Sequence, residues 1–113
     1  MEIKANVVTV DEGAPVVIGF ADDGKNPANY LLLQYDAAEP GVPLHVELND
    51  QQQSGYDLIK RIQLLDSSVV IELTRDGENI LKSGSSVTIR VAACVQNWQS
   101  IKLRLATLLQ RWL

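Results

Sequence analysis

Residues 44–49 read Leu-His-Val-Glu-Leu-Asn, a strict alternation of apolar and polar side chains. The same period returns over residues 69–74 and 87–91. A period of two places successive side chains on opposite faces of a β-strand. It therefore indicates an antiparallel sheet with one buried and one solvent-exposed face. We predict that nine apolar residues are buried and line one sheet face: Leu44, Val46, Leu48, Val69, Ile71, Leu73, Val87, Ile89 and Val91.

Four further strands are predicted around this pattern, at Ile3–Val10, Val16–Phe20, Tyr30–Tyr35 and Tyr56–Leu65. Their β-branched and aromatic residues favour strands, and turn residues separate several of them. Lys60 interrupts the inward row of the last one, which predicts an edge position or a β-bulge there.

The period changes to 3.6 between Gln96 and Trp112, which predicts an amphipathic helix. Leu103 lies on the polar side of this helix. The segment Asp76–Lys82 is compatible with one helical turn, and the glutamines at 51–53 are predicted to form a polar loop. The predicted apolar face of the helix comprises Trp98, Ile101, Leu105, Leu108, Leu109 and Trp112.

Together these elements predict one α+β domain over residues 1–113. Its mainly antiparallel β-sheet has about six to seven strands, with the C-terminal amphipathic helix packed on one face. A chain of 113 residues is long enough to form one hydrophobic core that needs no disulfide or metal ion to hold it together. Its composition, 46% hydrophobic and 21% charged residues, is ordinary for a globular protein.

The acidic and basic residues are unevenly distributed along the chain. Residues 1–57 hold ten acidic and two basic side chains, a net charge of −8, whereas residues 58–113 hold four and eight, a net charge of +4. Such asymmetry is a hint about partners. The overall charge of −4 argues against a nucleic-acid partner, because phosphate binding needs clustered Lys and Arg.

The sequence favours the cytoplasm. The N-terminus shows no basic segment followed by an apolar run, and no stretch approaches the about 20 apolar residues that cross a bilayer, so no membrane partner is expected. Cys94 is the single cysteine, which excludes an intramolecular disulfide and fits a reducing compartment.

Patterns for catalysis or metal binding are sparse. His45, the single histidine, lies on the polar face of its strand and is expected at the solvent-exposed surface, while Cys94 is expected to be packed. The carboxylate pairs Asp22-Asp23 and Glu47 with Asp50 match no calcium loop, and no glycine-rich phosphate loop occurs. We predict no catalytic residue, no metal and no cofactor. A metal-dependent hydrolase built on Glu47 and Asp50 is the least favoured alternative.

Three stretches carry a family resemblance. They are Gly19-Phe20-Ala21-Asp22 continuing to Tyr30 and Gln34, then Glu47-Leu48-Asn49-Asp50-Gln51, then Ser54-Gly55-Tyr56. Following an opening such as Ile3-Lys4-Ala5-Asn6, they resemble the bacterial polymorphic-toxin immunity proteins of the immunity protein 10 family. The resemblance covers most of residues 1–74. The chain departs from the family pattern at Asp57-Leu58, where glycines tend to follow the tyrosine.

The resemblance implies a protein that is not an enzyme. It would bind the C-terminal domain of a cognate secreted toxin stoichiometrically and protect the producer and its kin. The alternative is a small acidic secretion or folding chaperone, which would need exposed apolar surface at Leu103 or along the strand Tyr56–Leu65. Either a monomer or a dimer is compatible with the sequence.

Polar residues near the matching stretches are the predicted contacts with the toxin, whose active site would be basic if it acts on phosphates. A structural role stays open for them, because Asn and Asp side chains also brace turns and tyrosines also pack at core borders. The predicted partner-binding residues are Asp22, Asp23, Tyr30, Gln34, Glu47, Asn49, Asp50, Gln51, Tyr56 and Asp57.

Overall fold

The computed structural model describes residues 1–113 and contains nine β-strands, two α-helices and a short 3-10 helix. The strands are β1 (Glu2–Ala5), β2 (Val7–Asp11), β3 (Val16–Ala21), β4 (Tyr30–Tyr35), β5 (His45–Leu48), β6 (Asp50–Tyr56), β7 (Ile59–Leu64), β8 (Ser68–Leu73) and β9 (Ser86–Val91). The helices are α1 (Arg75–Leu81) and α2 (Trp98–Leu108), followed by the 3-10 helix Gln110–Trp112.

Strands β2 to β6 form a five-stranded antiparallel sheet in chain order. Its inner face is built from apolar rows that cross the strands. Phe20, Leu31 and Leu48 stand opposite one another in one row, and Ile18, Leu33 and Val46 do so in the next. All six side chains are buried.

The remaining strands form a four-stranded sheet in the order β1-β9-β8-β7. Strand β1 runs parallel to β9, while the other neighbours are antiparallel. Ile3, Ile89 and Val69 stand opposite one another across three strands and are buried. The apolar faces of both sheets contribute to one continuous core.

The α+β class is confirmed, but the strand count and the layering differ from the prediction. Nine strands form two sheets, whereas the alternation predicted a single sheet of six to seven. The nine predicted core residues are divided between the sheets, with Leu44, Val46 and Leu48 near or in β5 and the others in β8 and β9. All are buried except Val91, which is half-buried.

The predicted strand Ile3–Val10 is two strands in different sheets. The chain passes between the sheets at Asn6, whose backbone N–H donates to the carbonyl of Ala21 over 2.9 Å. The Asn6 side chain donates to the carbonyl of Asp22 over 2.8 Å. At this corner the run Ile3–Val10 leaves the four-stranded sheet and enters the five-stranded one, so it cannot form a single strand.

Two further segments differ from the prediction in type or length. Gln51–Gln53 belong to β6 and not to a loop, but they have no partners in β5, because the register shifts here from Glu47 opposite Ser54 to Leu48 opposite Asp50. The strand predicted from Tyr56 begins at Ile59. The edge position and the bulge expected at Lys60 are both confirmed, since β7 ends its sheet and its register shifts between Ile59 and Arg61.

Helix α1 occupies the segment compatible with a helical turn. Thr74 caps its N-terminus by accepting a hydrogen bond from the Gly77 N–H over 3.0 Å. Gly77 is buried against the chain between the sheets, where a Cβ would stand 2.3 Å from the carbonyl oxygen of Leu58. Only glycine permits this close approach.

Helix α2 contacts both sheets, whereas the sequence predicted contact with one sheet face. The indole N–H of Trp98 donates to the carbonyl of Asp66 in the β7–β8 turn over 2.7 Å. The hydroxyl of Tyr35, the last residue of β4, donates to the carbonyl of Leu108 over 2.8 Å. Leu103 is 71% exposed, as its position on the polar side predicts. Neither helix has the length and apolarity to span a membrane.

Trp98→Ala should lower the free energy of unfolding by about 3–5 kcal/mol, because it leaves a cavity and an unpaired carbonyl at Asp66. Leu103→Ala is the control on the same helix and should change it by less than about 0.5 kcal/mol. Urea denaturation measures both. Equal stability of the Trp98→Ala and wild-type proteins would contradict the burial of this side chain.

Candidate partner-binding surface

The outer face of the five-stranded sheet collects several of the predicted contact residues. We define this face by the side chains that alternate with the buried rows. In one row Gly19, Leu32 and Glu47 stand opposite one another, and Thr9 and Ser54 complete it at the edges. A second row comprises Asp11, Val17, Gln34, His45 and Tyr56. A third row comprises Val7, Ala21 and Tyr30. Of the predicted residues, Tyr30, Gln34, Glu47 and Tyr56 therefore share one surface.

Tyr30 and Glu47 form the most specific polar contact on this face. The phenol donates to Glu47 Oε2 over 2.6 Å, and both side chains are half-buried. The hydrogen bond to Glu47, followed by partial burial and the negative charges of Glu47 and Asp50, raises the pKa of Tyr30 to about 12. At neutral pH the phenol is a fixed donor that orients the carboxylate.

His45 and Tyr56 form an aromatic pair in the second row. Their ring centroids lie 4.8 Å apart with an interplanar angle of 63°, an edge-to-face arrangement. His45 lies on the outer face of its strand and is half-buried, whereas the sequence predicted a solvent-exposed side chain. Tyr56 is 58% exposed and presents a large aromatic surface to solvent.

The carboxylates of Asp22 and Asp23 brace the loop between β3 and β4. The Asp22 oxygens accept from the backbone N–H groups of Ala28 and Asn29, each over 3.0 Å. Asp23 accepts from the Lys25 N–H over 3.2 Å. Asp22 is half-buried by these contacts and Asp23 is exposed, so a structural role is evident for both carboxylates.

Asn49 joins the ends of β4 and β5. Its side-chain oxygen accepts from the Tyr30 N–H over 2.7 Å, and its side-chain nitrogen donates to the Asn29 oxygen over 3.0 Å. The residue has a φ of 62°, a left-handed conformation that asparagine tolerates well. Asn49 thus positions Tyr30 and is largely occupied by contacts within the chain.

The remaining predicted residues lie around β6 and are exposed. The Asp50 carboxylate accepts from the Gln52 N–H over 2.8 Å, and the Gln51 carbonyl accepts from the Ser54 hydroxyl over 2.6 Å. Asp57 turns the chain out of β6 with a φ of 60°. No group of three or more His, Cys, Asp or Glu side chains is arranged to hold a metal ion.

A groove of about 390 Å³ crosses the outer face beside Glu47. Its floor is Gly19, and Val7, Thr9, Leu32 and Pro27 are among the residues around it. Sequence reasoning missed these residues. The available signal was Gly19 itself, since a glycine inside a strand often marks a close approach by another group.

The charge asymmetry along the chain becomes an asymmetry between the two sheets. Residues 7–57, which build the five-stranded sheet, hold nine acidic residues and one basic residue, whereas the rest of the chain holds five and nine. Helix α2 neutralises one end of this acidic region, because Arg104 pairs with Glu12 in the β2–β3 turn. Asp22, Asp23 and Asp50 lie at the opposite end, where β3 and β5 finish.

Two residues outside this surface also bear on the predictions. Cys94 is exposed after β9, whereas the sequence predicted a packed side chain, because the chain turns away from the sheet at this point. Its sulfur lies 3.5 Å from the Asn6 side-chain oxygen. Leu65, at the end of the segment named for the chaperone alternative, is 47% exposed.

Comparison with known proteins gives one match. The family model described as Immunity protein 10 matches residues 3–99, which include all nine strands except the first residue of β1. The similarity therefore extends through β9, beyond the residues 1–74 to which the quoted stretches belong. No curated protein and no solved structure is significantly similar to the chain.

Removal of the Glu47 charge should lower the pKa of Tyr30 from about 12 toward its ordinary value of 10. The contact thus contributes stability that is fully present below pH 10 and is lost as the pH rises toward 12. NMR titration of tyrosine-labelled Glu47→Gln and wild-type protein measures the shift. Asp50→Asn is the control and should lower the pKa of Tyr30 less, because the charge of Asp50 contributes least to the rise in that pKa. An unchanged Tyr30 pKa in Glu47→Gln would contradict the contact.

Proposed function

Because this chain belongs to the immunity protein 10 family, we propose that it binds and neutralises a cognate secreted bacterial toxin in the cytoplasm of the producer and its kin. The family match over residues 3–99 is the observation that carries this proposal. The mode of action is stoichiometric and non-catalytic: the protein occupies the C-terminal toxin domain and needs no reacting group of its own.

The toxin docks on the outer face of the five-stranded sheet. Standard inhibitor complexes bury about 800 Å² on each partner, which is roughly an eighth of the 6474 Å² surface of this chain. This face offers an aromatic side chain, Tyr56, and the oriented carboxylate of Glu47. Exposed aromatics beside a few desolvated polar groups are the usual centre of a tight interface.

The acidic charge of this half of the molecule favours a basic partner. Nine acidic residues against one basic residue produce a field that attracts a positively charged surface and speeds association. Active sites that process phosphate-containing substrates are basic, so an acidic inhibitor suits a nuclease or another phosphate-directed toxin. Asp23 and Asp50 would lie near the rim, where charges act mainly on the association rate.

The proposal is tested by co-expression with the toxin domain encoded beside this gene. Cells that produce the toxin domain alone should die, and cells that also produce this protein should survive. The two purified proteins should elute together in size-exclusion chromatography with equal numbers of each chain. Continued killing at full expression of this protein, with no co-elution, would overturn the proposed function.

Tyr56→Ala should weaken toxin binding at least about tenfold, because it removes a large aromatic contact. Its melting temperature should change little, since the side chain is 58% exposed. Leu103→Ala is the matched control, an exposed apolar side chain on α2. Isothermal titration calorimetry compares the variants. Loss of binding in Leu103→Ala with normal binding in Tyr56→Ala would move the interface to the helix.

A further inference from the structure

Gly19 lines the groove on the outer face at a point where its neighbours leave no room for a side chain. A Cβ at Gly19 would stand 2.7 Å from Thr9 Oγ1 and 3.1 Å from Leu32 Cδ2. Any other residue would therefore push Thr9 and Leu32 apart or fill the floor. The glycine lies on β3 between Thr9 of β2 and Leu32 of β4, both of which also line the groove.

The groove is lined by apolar side chains and by the carboxylates of Asp23 and Glu47. Val7, Ala21 and Leu32 are half-buried and line its length. Glu47 lies at the border with one oxygen, Oε2, held by the Tyr30 hydroxyl. The groove thus combines a hydrocarbon-lined channel with an oriented anion.

The carboxylates of the groove have no cationic partner within the chain. The three ion pairs of the protein join Arg90 to Glu2, Lys102 to Asp66 and Arg104 to Glu12. None of them involves Glu47 or Asp23, the two acidic residues that line the groove. A carboxylate that is half-buried without a cation gains most from a partner that supplies one.

We infer that this groove receives one basic side chain, an arginine or a lysine, that projects from the toxin. The inference rests on the proposed function and specifies how the toxin is recognised. The aliphatic stem lies along Val7 and Leu32, as long basic side chains commonly cover apolar surface. Its charged head meets Glu47, whose geometry Tyr30 has already set.

Other occupants fit the groove less well. An apolar side chain would desolvate Glu47 without pairing it, which costs free energy. An acidic side chain or a phosphate group would face like charge at Glu47 and Asp23. A basic side chain can place its aliphatic stem against the apolar lining and its charge against Glu47. It also matches the basic surface expected of the partner.

A double-mutant cycle with the neighbouring toxin domain tests the inference. Glu47→Gln keeps an oxygen that accepts from Tyr30 but removes the charge, and it should weaken binding at least about tenfold. Each arginine and lysine of the toxin is replaced in turn by methionine, which retains a stem. One of these replacements should cost little further affinity in the Glu47→Gln background. Glu72→Gln, which removes an equal charge from the other sheet, should leave binding within about twofold.

The outcomes separate this inference from the proposed function. Absence of binding between the wild-type proteins would overturn the proposed function and the inference with it. Wild-type binding that is insensitive to Glu47→Gln, or additive with every basic replacement in the toxin, would overturn the inference alone. Gly19→Ala, which crowds the floor, should also weaken binding when its melting temperature shows a folded protein.

Discussion

The burial of two apolar sheet faces in one core is the constraint on which the rest of this structure depends. Because strand side chains alternate, each inner row that enters the core sends its neighbours to the surface. The row of Ile18, Leu33 and Val46 thereby sets the position of Gly19, Leu32 and Glu47. A slip of one residue would exchange the two sets and place Glu47 in the core. The core therefore specifies the candidate site without touching it.

Local patterns in the sequence were sufficient for much of the fold. Period two located the central strands, and Lys60 revealed an edge strand with a bulge. The assignment of strands to sheets was wrong. A period of two indicates which way a side chain points, but it does not indicate which distant strand pairs with its own strand. The passage at Asn6 and the pairing of β1 with β9 join segments that no short window contains. A single run thus became two strands in two sheets.

The candidate site also has one part that local patterns predict and one part that depends on distant pairing. Tyr30, Glu47 and Tyr56 were accessible to sequence reasoning because they alternate with the apolar residues of the core and therefore lie on the opposite face of their strands. Asp22 and Asn49 proved to be braces for loops, a role that depends on backbone groups of other segments. The groove was not accessible, since its shape requires Thr9, Gly19 and Leu32 to fall in register on three strands.

The parallel pairing of β1 with β9 has a consequence for the nascent chain. Strands β2 to β6 are consecutive, so their sheet can assemble on the ribosome as each hairpin emerges. Ile3, in contrast, pairs with Ile89, 86 positions later, which at roughly 5–20 residues per second means a delay on the order of ten seconds. During that interval the outer face of the five-stranded sheet is complete, whereas its apolar inner face is still exposed to solvent. The core is complete only when β9 and then helix α2, which supplies Trp98 and Leu105, have been translated.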